Sequence, residues 1–154
     1  MRTFASPAEL LGAVGEPLGP GRWHRVDQDR VDLFADATDD HQWIHVDPER
    51  ACAGPFGGTV AHGYLTLSLL PALVTGLYRV DGVRMGVNYG LNRVRFPAPL
   101  RVGTSIRATA LIVAVEPVPD GLQVVTSVTV DSAGGGKPVC VAETVSRLYL
   151  KEDR

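Results

Sequence analysis

A carboxylate and an imidazole stand five residues apart in Asp40-His41-Gln42-Trp43-Ile44-His45, and Phe56-Gly57-Gly58-Thr59-Val60-Ala61-His62-Gly63 follows after a short spacer. Asp40 and His45 are residue types that take, hold and return protons near neutral pH. The second stretch is a glycine-rich approach to a long apolar segment, and a helix starting there presents unpaired N–H groups able to stabilise an anion. Taken alone, Asp40 would cap a turn and His45 would be a satisfied structural histidine. The second motif turns the reading towards catalysis. His41, His45, Asp40 and His62 are also metal-ligating types. His41 and His45 lie on an expected loop, where four-residue spacing does not put them on one face, and ligation would withdraw them from catalysis, so no metal is expected. His62 reads as a helix-start residue with a structural hydrogen bond.

The elements that must hold these groups follow from periodicity. Ser6-Pro7-Ala8-Glu9 has the form of a capping box and predicts a short helix to about Val14, closed by Gly15. Trp23 to Val26 predicts a short strand. Val31, Phe34 and Ala35 give one apolar face to a helix over about Gln28 to Ala37. Asp47-Pro48 repeats the cap-then-proline signal for a short helix to Ala53, which places Asp40 and His45 on a loop between two helices. From about His62 to Leu77 the chain predicts a long helix apolar on nearly all sides, with a kink or break at Pro71. Beyond Val83 the period becomes two. Ile106, Ala108, Ala110, Ile112 and Ala114 share one strand face, and Leu122, Val124, Thr126, Val128 and Val130 share the next. Pro119-Asp120-Gly121 and Gly134-Gly135-Gly136 are turns, and Pro138 to Leu150 is a last strand. With Val83 to Phe96 these make an antiparallel meander of at least four strands. The fold class is α+β, a curved antiparallel sheet wrapped around a long central helix, in one domain over residues 1–154.

Composition narrows the function classes. The net charge is −2 and no lysine- or arginine-rich run occurs, so no nucleic acid partner is expected. Cys52 and Cys140 lack metal-ligand spacing and read as reduced thiols. Residues from Gly54 through Tyr78 carry no charged side chain, but interspersed Gly, Pro, Ser and Thr make this a buried core helix, so no membrane span is expected. The N-terminus lacks a secretion signal pattern, and a cytoplasmic location is the expectation.

Thr38, Asp40, Ile44, His45 and Asp47, followed by Phe56, Gly57, Val60, Ala61, His62, Gly63 and Leu65, resemble the signature of the MaoC-like dehydratases, which include the R-specific enoyl-CoA hydratases. The wording Asp40 to His45 is most similar to the nodulation protein N branch. The Asn88 to Pro97 segment looks like mycobacterial members of that branch. The likeness covers nearly the whole chain. It implies a hot-dog fold, a homodimer with the active sites close to the interface, Asp40 and His45 as the catalytic pair, and the Gly63 N–H as donor to a thioester carbonyl oxygen. The implied reaction is reversible syn hydration of a trans-2-enoyl-CoA to the (3R)-3-hydroxyacyl-CoA, without metal or organic cofactor. An acyl-CoA thioesterase, and a non-catalytic acyl-CoA-binding protein of the same fold, are the alternatives. Trp43 and Tyr89 are candidates for an acyl pocket, and Arg84, Arg93, Arg95 and Arg101 for the CoA phosphates. Three residues depart from the signature: Asp39 replaces glycine, Gln42 asparagine and Trp43 proline. Glycine tolerates positive φ freely and aspartate only moderately. A second carboxylate converging on Asp40 would also disfavour ionisation of Asp40.

Overall fold

Strict alternation decides the sheet. In β6 (Ser105–Val118) Ile106, Ala108, Ala110 and Ile112 are buried and the residues between them are not, and β7 (Gly121–Ser132) repeats this at Leu122, Val124, Thr126, Val128 and Val130. A bulge between Ile112 and Ala114 ends the pattern in β6, so Ala114 is only half-buried. Asp120, at φ 63°, turns β6 into β7. β8 (Cys140–Leu150) pairs antiparallel with β7 and begins two residues later than expected from Pro138. The computed structural model describes residues 1–151, so 152–154 of the expected domain lie outside the described residues.

The six-stranded sheet also takes in β2 (Pro17–Leu18) and β3 (His24–Arg25), both antiparallel to β6, and β5 (Val83–Arg95), antiparallel to β8. The expected four-strand meander is therefore corrected. Only β6, β7 and β8 follow one another, and β5 lies on the far side of β8. The chain between β5 and β6 makes no hairpin, because Pro97 and Pro99 interrupt it and its later part pairs elsewhere. Ala61 N–H donates to Leu100 C=O at 2.8 Å, Val102 N–H to Thr59 C=O at 3.0 Å, and Val60 bridges Arg101. A two-stranded parallel pair, β1 (Arg2–Phe4) with β4 (Tyr78–Val80), was not foreseen. It buries Phe4 in the core.

The helices are α1 (Pro7–Leu11), α2 (Gln28–Thr38), α3 (Trp43–Val46), α4 (Pro48–Cys52), α5 (Gly63–Ser68) and α6 (Leu70–Thr75). Ser6 and Asp47 cap α1 and α4 as their sequences require, accepting from Glu9 N–H at 3.3 Å and Arg50 N–H at 3.0 Å. The helix α1 stops short of Val14, at a Gly12 cap. The long central helix is two segments separated at Leu69, two residues before Pro71. Pro71 has no N–H to donate back to the preceding turn, and Leu69 N–H is shared between the carbonyls of Leu65 and Thr66. Leu65, Leu70, Leu73 and Leu77 enter one core with the inward residues of β6, β7 and β8, and this sheet wrapped on a central helix is the hot-dog architecture. No helix among the described residues is long and apolar enough to cross a membrane.

Candidate active site

The helix α2 ends at Asp39, whose φ of 58° is the left-handed conformation that glycine adopts without strain. This turn aims the chain at α3. His45 lies in α3 and not on a loop, because His45 N–H reaches Gln42 C=O at 2.9 Å and Asp47 N–H reaches Trp43 C=O at 3.1 Å, enough to close one turn. The Asp39 charge is felt at the exposed His41, whose pKa is raised first by its hydrogen bond to Asp36 at 2.8 Å and further by the fields of Asp36 and Asp39.

The structure brings Asp40, His45 and His62 together, with one carboxyl oxygen and one nitrogen of each ring all within 4.8 Å of one another. The two imidazoles stack at 3.8 Å with 23° between their planes, and the Phe34 ring packs tilted against His62 at 5.0 Å. His45 Nδ1–H donates to Val60 C=O at 2.6 Å, since a carbonyl can only accept. Its Nε2 is left to take a proton. Burial holds the His45 pKa below the ordinary histidine value, with the bond to Val60 C=O acting against it, His62 lowering it further and Asp40 raising it. The ring is therefore neutral at pH 7. His62, 2% exposed, makes the structural bond expected of it, donating Nε2–H to Asp40 C=O at 2.9 Å. It thereby fixes the main chain of Asp40, whose carboxyl remains half exposed. His45 Nδ1 and His62 Nε2 are each engaged by a carbonyl oxygen, and among the described residues Asp40, His45 and His62 are those whose ligand atoms lie close enough together to hold a metal ion.

Gly63 begins α5, and no acceptor takes its N–H among the described residues. A Cβ at Gly63 would meet the Phe96 ring at 2.9 Å, so the close fit of that ring on the backbone requires glycine. Phe56, Gly63, Thr66, Phe96, Leu100 and Val139 line a mainly apolar cavity of about 270 Å³ beside this point.

Trp43, Tyr89, Arg93 and Arg95 do not join the cluster. The Trp43 ring packs against Gly54 with the Arg50 guanidinium 4.5 Å from its centre, joining α3 to α4. Tyr89 is exposed on β5 with the Arg147 guanidinium 3.7 Å from its ring centre, and Arg93 and Arg95 are exposed on the same strand. The Arg101 guanidinium lies over Gly57 and Gly58 and donates to Phe56 C=O at 2.6 Å. Two side chains behind His45, Gln28 and Thr59, carry no sequence signal. They bond to each other at 2.7 Å, and Gln28 also donates to His45 C=O.

Residues 9–134 match the MaoC like domain. The chain belongs to the MaoC-like dehydratase family. Among its relatives in that family, 3-hydroxyacyl-thioester dehydratase Z of Mycobacterium tuberculosis is 56% identical over 148 residues, 96% of this chain and 98% of the relative. Nodulation protein N of Rhizobium leguminosarum bv. viciae is 53% identical over 104 residues, 66% of this chain and 65% of the relative. The solved monoamine oxidase regulatory protein of Archaeoglobus fulgius superposes with a TM-score of 0.76 at 26% identity, covering 99% of this chain and 98% of that one. The family and its branch agree with the resemblance carried by the two motifs.

Proposed function

We propose that this MaoC-like protein is an R-specific enoyl-CoA hydratase, adding water syn across a trans-2-enoyl thioester to give the (3R)-3-hydroxyacyl thioester and running the dehydration in reverse. The observation that carries this reading is the meeting of the Asp40 carboxyl with a neutral His45 beside an unpaired Gly63 N–H. A water hydrogen-bonded to both side chains fits a separation of this size. In hydration, His45 Nε2 takes a proton as the water oxygen bonds C3, while Asp40 holds the second hydrogen of the water. The C2=C3 electron pair moves onto the thioester oxygen, where the Gly63 N–H stabilises the enolate-like state more than the ground state. The proton then returns to C2 from the same face, which makes the addition syn. The thioester acidifies C2, so no metal or organic cofactor is required.

The apolar cavity beside Gly63 suits a hydrocarbon chain, and exposed Arg93 and Arg95, on the strand that leads to Phe96, are offered to the CoA phosphates. The similarity to a relative named as a 3-hydroxyacyl-thioester dehydratase supports the substrate class. The test is loss of the conjugated thioester absorbance across a series of trans-2-enoyl-CoAs, with chiral analysis of the product. The (3R)-3-hydroxyacyl thioester is expected. Free thiol would indicate a thioesterase, and binding without absorbance change would indicate a non-catalytic protein.

A further inference from the structure

We propose that Gln28 is a positioning residue for His45, tying the His45 main chain to the segment that receives its ring. This rests on His45 as the proton-transfer residue. Gln28 opens α2, and its half-buried carboxamide makes three hydrogen bonds: Nε2 donates to His45 C=O at 2.7 Å and to Asp32 Oδ1 at 2.8 Å, and Oε1 accepts from Thr59 Oγ1 at 2.7 Å. The partners settle the amide orientation. Reversed, its oxygen would face a carbonyl and a carboxylate, neither of which can donate.

Thr59 is next to Val60, whose C=O accepts from His45 Nδ1–H at 2.6 Å and whose N–H donates to Ile44 C=O at 3.0 Å. The connections therefore form a closed circuit: His45 ring, Val60, Thr59, Gln28, and back to the His45 carbonyl. The four residues of α3 are too few to hold their own place, because a single turn has little intrinsic stability. Within the circuit, the ring cannot shift or turn without giving up a hydrogen bond. Gln28 thus fixes both the direction of Nε2 and the Nδ1–H tautomer.

Gln28→Met keeps the length of the side chain and removes all three bonds. A small displacement of a reacting group can cost about 10²-fold, so Gln28→Met is expected to lower kcat by about 10- to 100-fold with little change in KM. Thr59→Val should lower kcat in the same way, Thr59→Ser should restore it, and Gln28→Met/Thr59→Val should be no worse than Gln28→Met. In a His45→Gln background, Gln28→Met should have almost no further effect. The imidazole ¹⁵N shifts of His45 give a readout independent of turnover. The native protein should show the Nδ1–H tautomer, and Gln28→Met a mixture. If Gln28→Met does not fold, Thr59→Val and Thr59→Ser carry the same comparison. Native kcat and an unchanged tautomer in folded Gln28→Met or Thr59→Val would overturn the proposal, as would a rise in KM alone. Full activity in His45→Gln would overturn the reading of His45 instead, while the tautomer shift would still report whether Gln28 positions the ring.

Discussion

Asp39 carries a backbone requirement at the mouth of the site that its side chain only partly meets. With φ at 58°, a β-branched residue there is strained, and Asp39→Val should lose about 1–2 kcal/mol in urea unfolding. Asp39→Gly should stay within about 1 kcal/mol of the native protein and keep its hydration activity. The family signature has glycine where this chain has Asp39, and the left-handed backbone observed here is the one glycine adopts freely. His45 supplies a pH prediction. Burial lowers its pKa, so the activity plateau should extend below the ordinary histidine value of 6.5 before falling as Nε2 is protonated. An acid limb centred above 6.5 would contradict the burial. The stability contribution has the same sign: the unfolded chain binds this proton more readily, so stability is full above pH 6.5 and is lost as pH falls towards the folded pKa. His41 acts in the opposite sense, since its hydrogen bond to Asp36 favours the charged form and is lost as pH rises through the raised pKa. That Asp40 and His45 would lie close together was legible, because proton-transfer residue types stand five residues apart beside a second motif. Gln28 was not, because a glutamine on a helix is ordinary until folding brings residue 59 to it.

At the scale of elements, periodicity located the strands and capping residues located the helix starts, since both are local physics. Strand order was not local: the next neighbour of β8 is β5, and only the pairing of residues 59–61 with 100–102 shows where the connecting chain goes. The break at Leu69 was foreseen in kind from Pro71, and its displacement reflects the turn that Pro71 leaves without a donor. The two cysteines test burial element by element. Cys140 at the start of β8 is fully buried, which pushes its thiol up to about 11, whereas Cys52 at the end of α4 is exposed. An aromatic disulfide reagent at pH 8 should react with one thiol in the folded protein and with two after unfolding. Two fast thiols in the native state would place β8 wrongly.

For the whole molecule, β5 is the element that one chain leaves uncovered. Met85, Val87, Tyr89 and Leu91 are exposed along it, and its outer edge has no strand partner among the described residues. An apolar edge strand of this length invites a two-fold partner, and we propose a homodimer formed there. Sedimentation at micromolar concentration should give twice the 16.5 kDa chain mass, and Val87→Asp should shift it towards the monomer. A native monomer with full activity would remove the partner from the site. The central claim is that Asp40 and His45 act together on one water. Its most direct measurement is the rate of loss of the conjugated enoyl-thioester absorbance for the native protein, Asp40→Asn, His45→Gln and the double variant, each confirmed folded. Each single change should lower kcat by about 10²-fold or more, with the double variant little worse than either. Asp39→Asn, measured in parallel, should retain most activity. Near-native hydration by Asp40→Asn would contradict the account, and a large loss confined to Asp39→Asn would assign the chemistry to the other carboxylate.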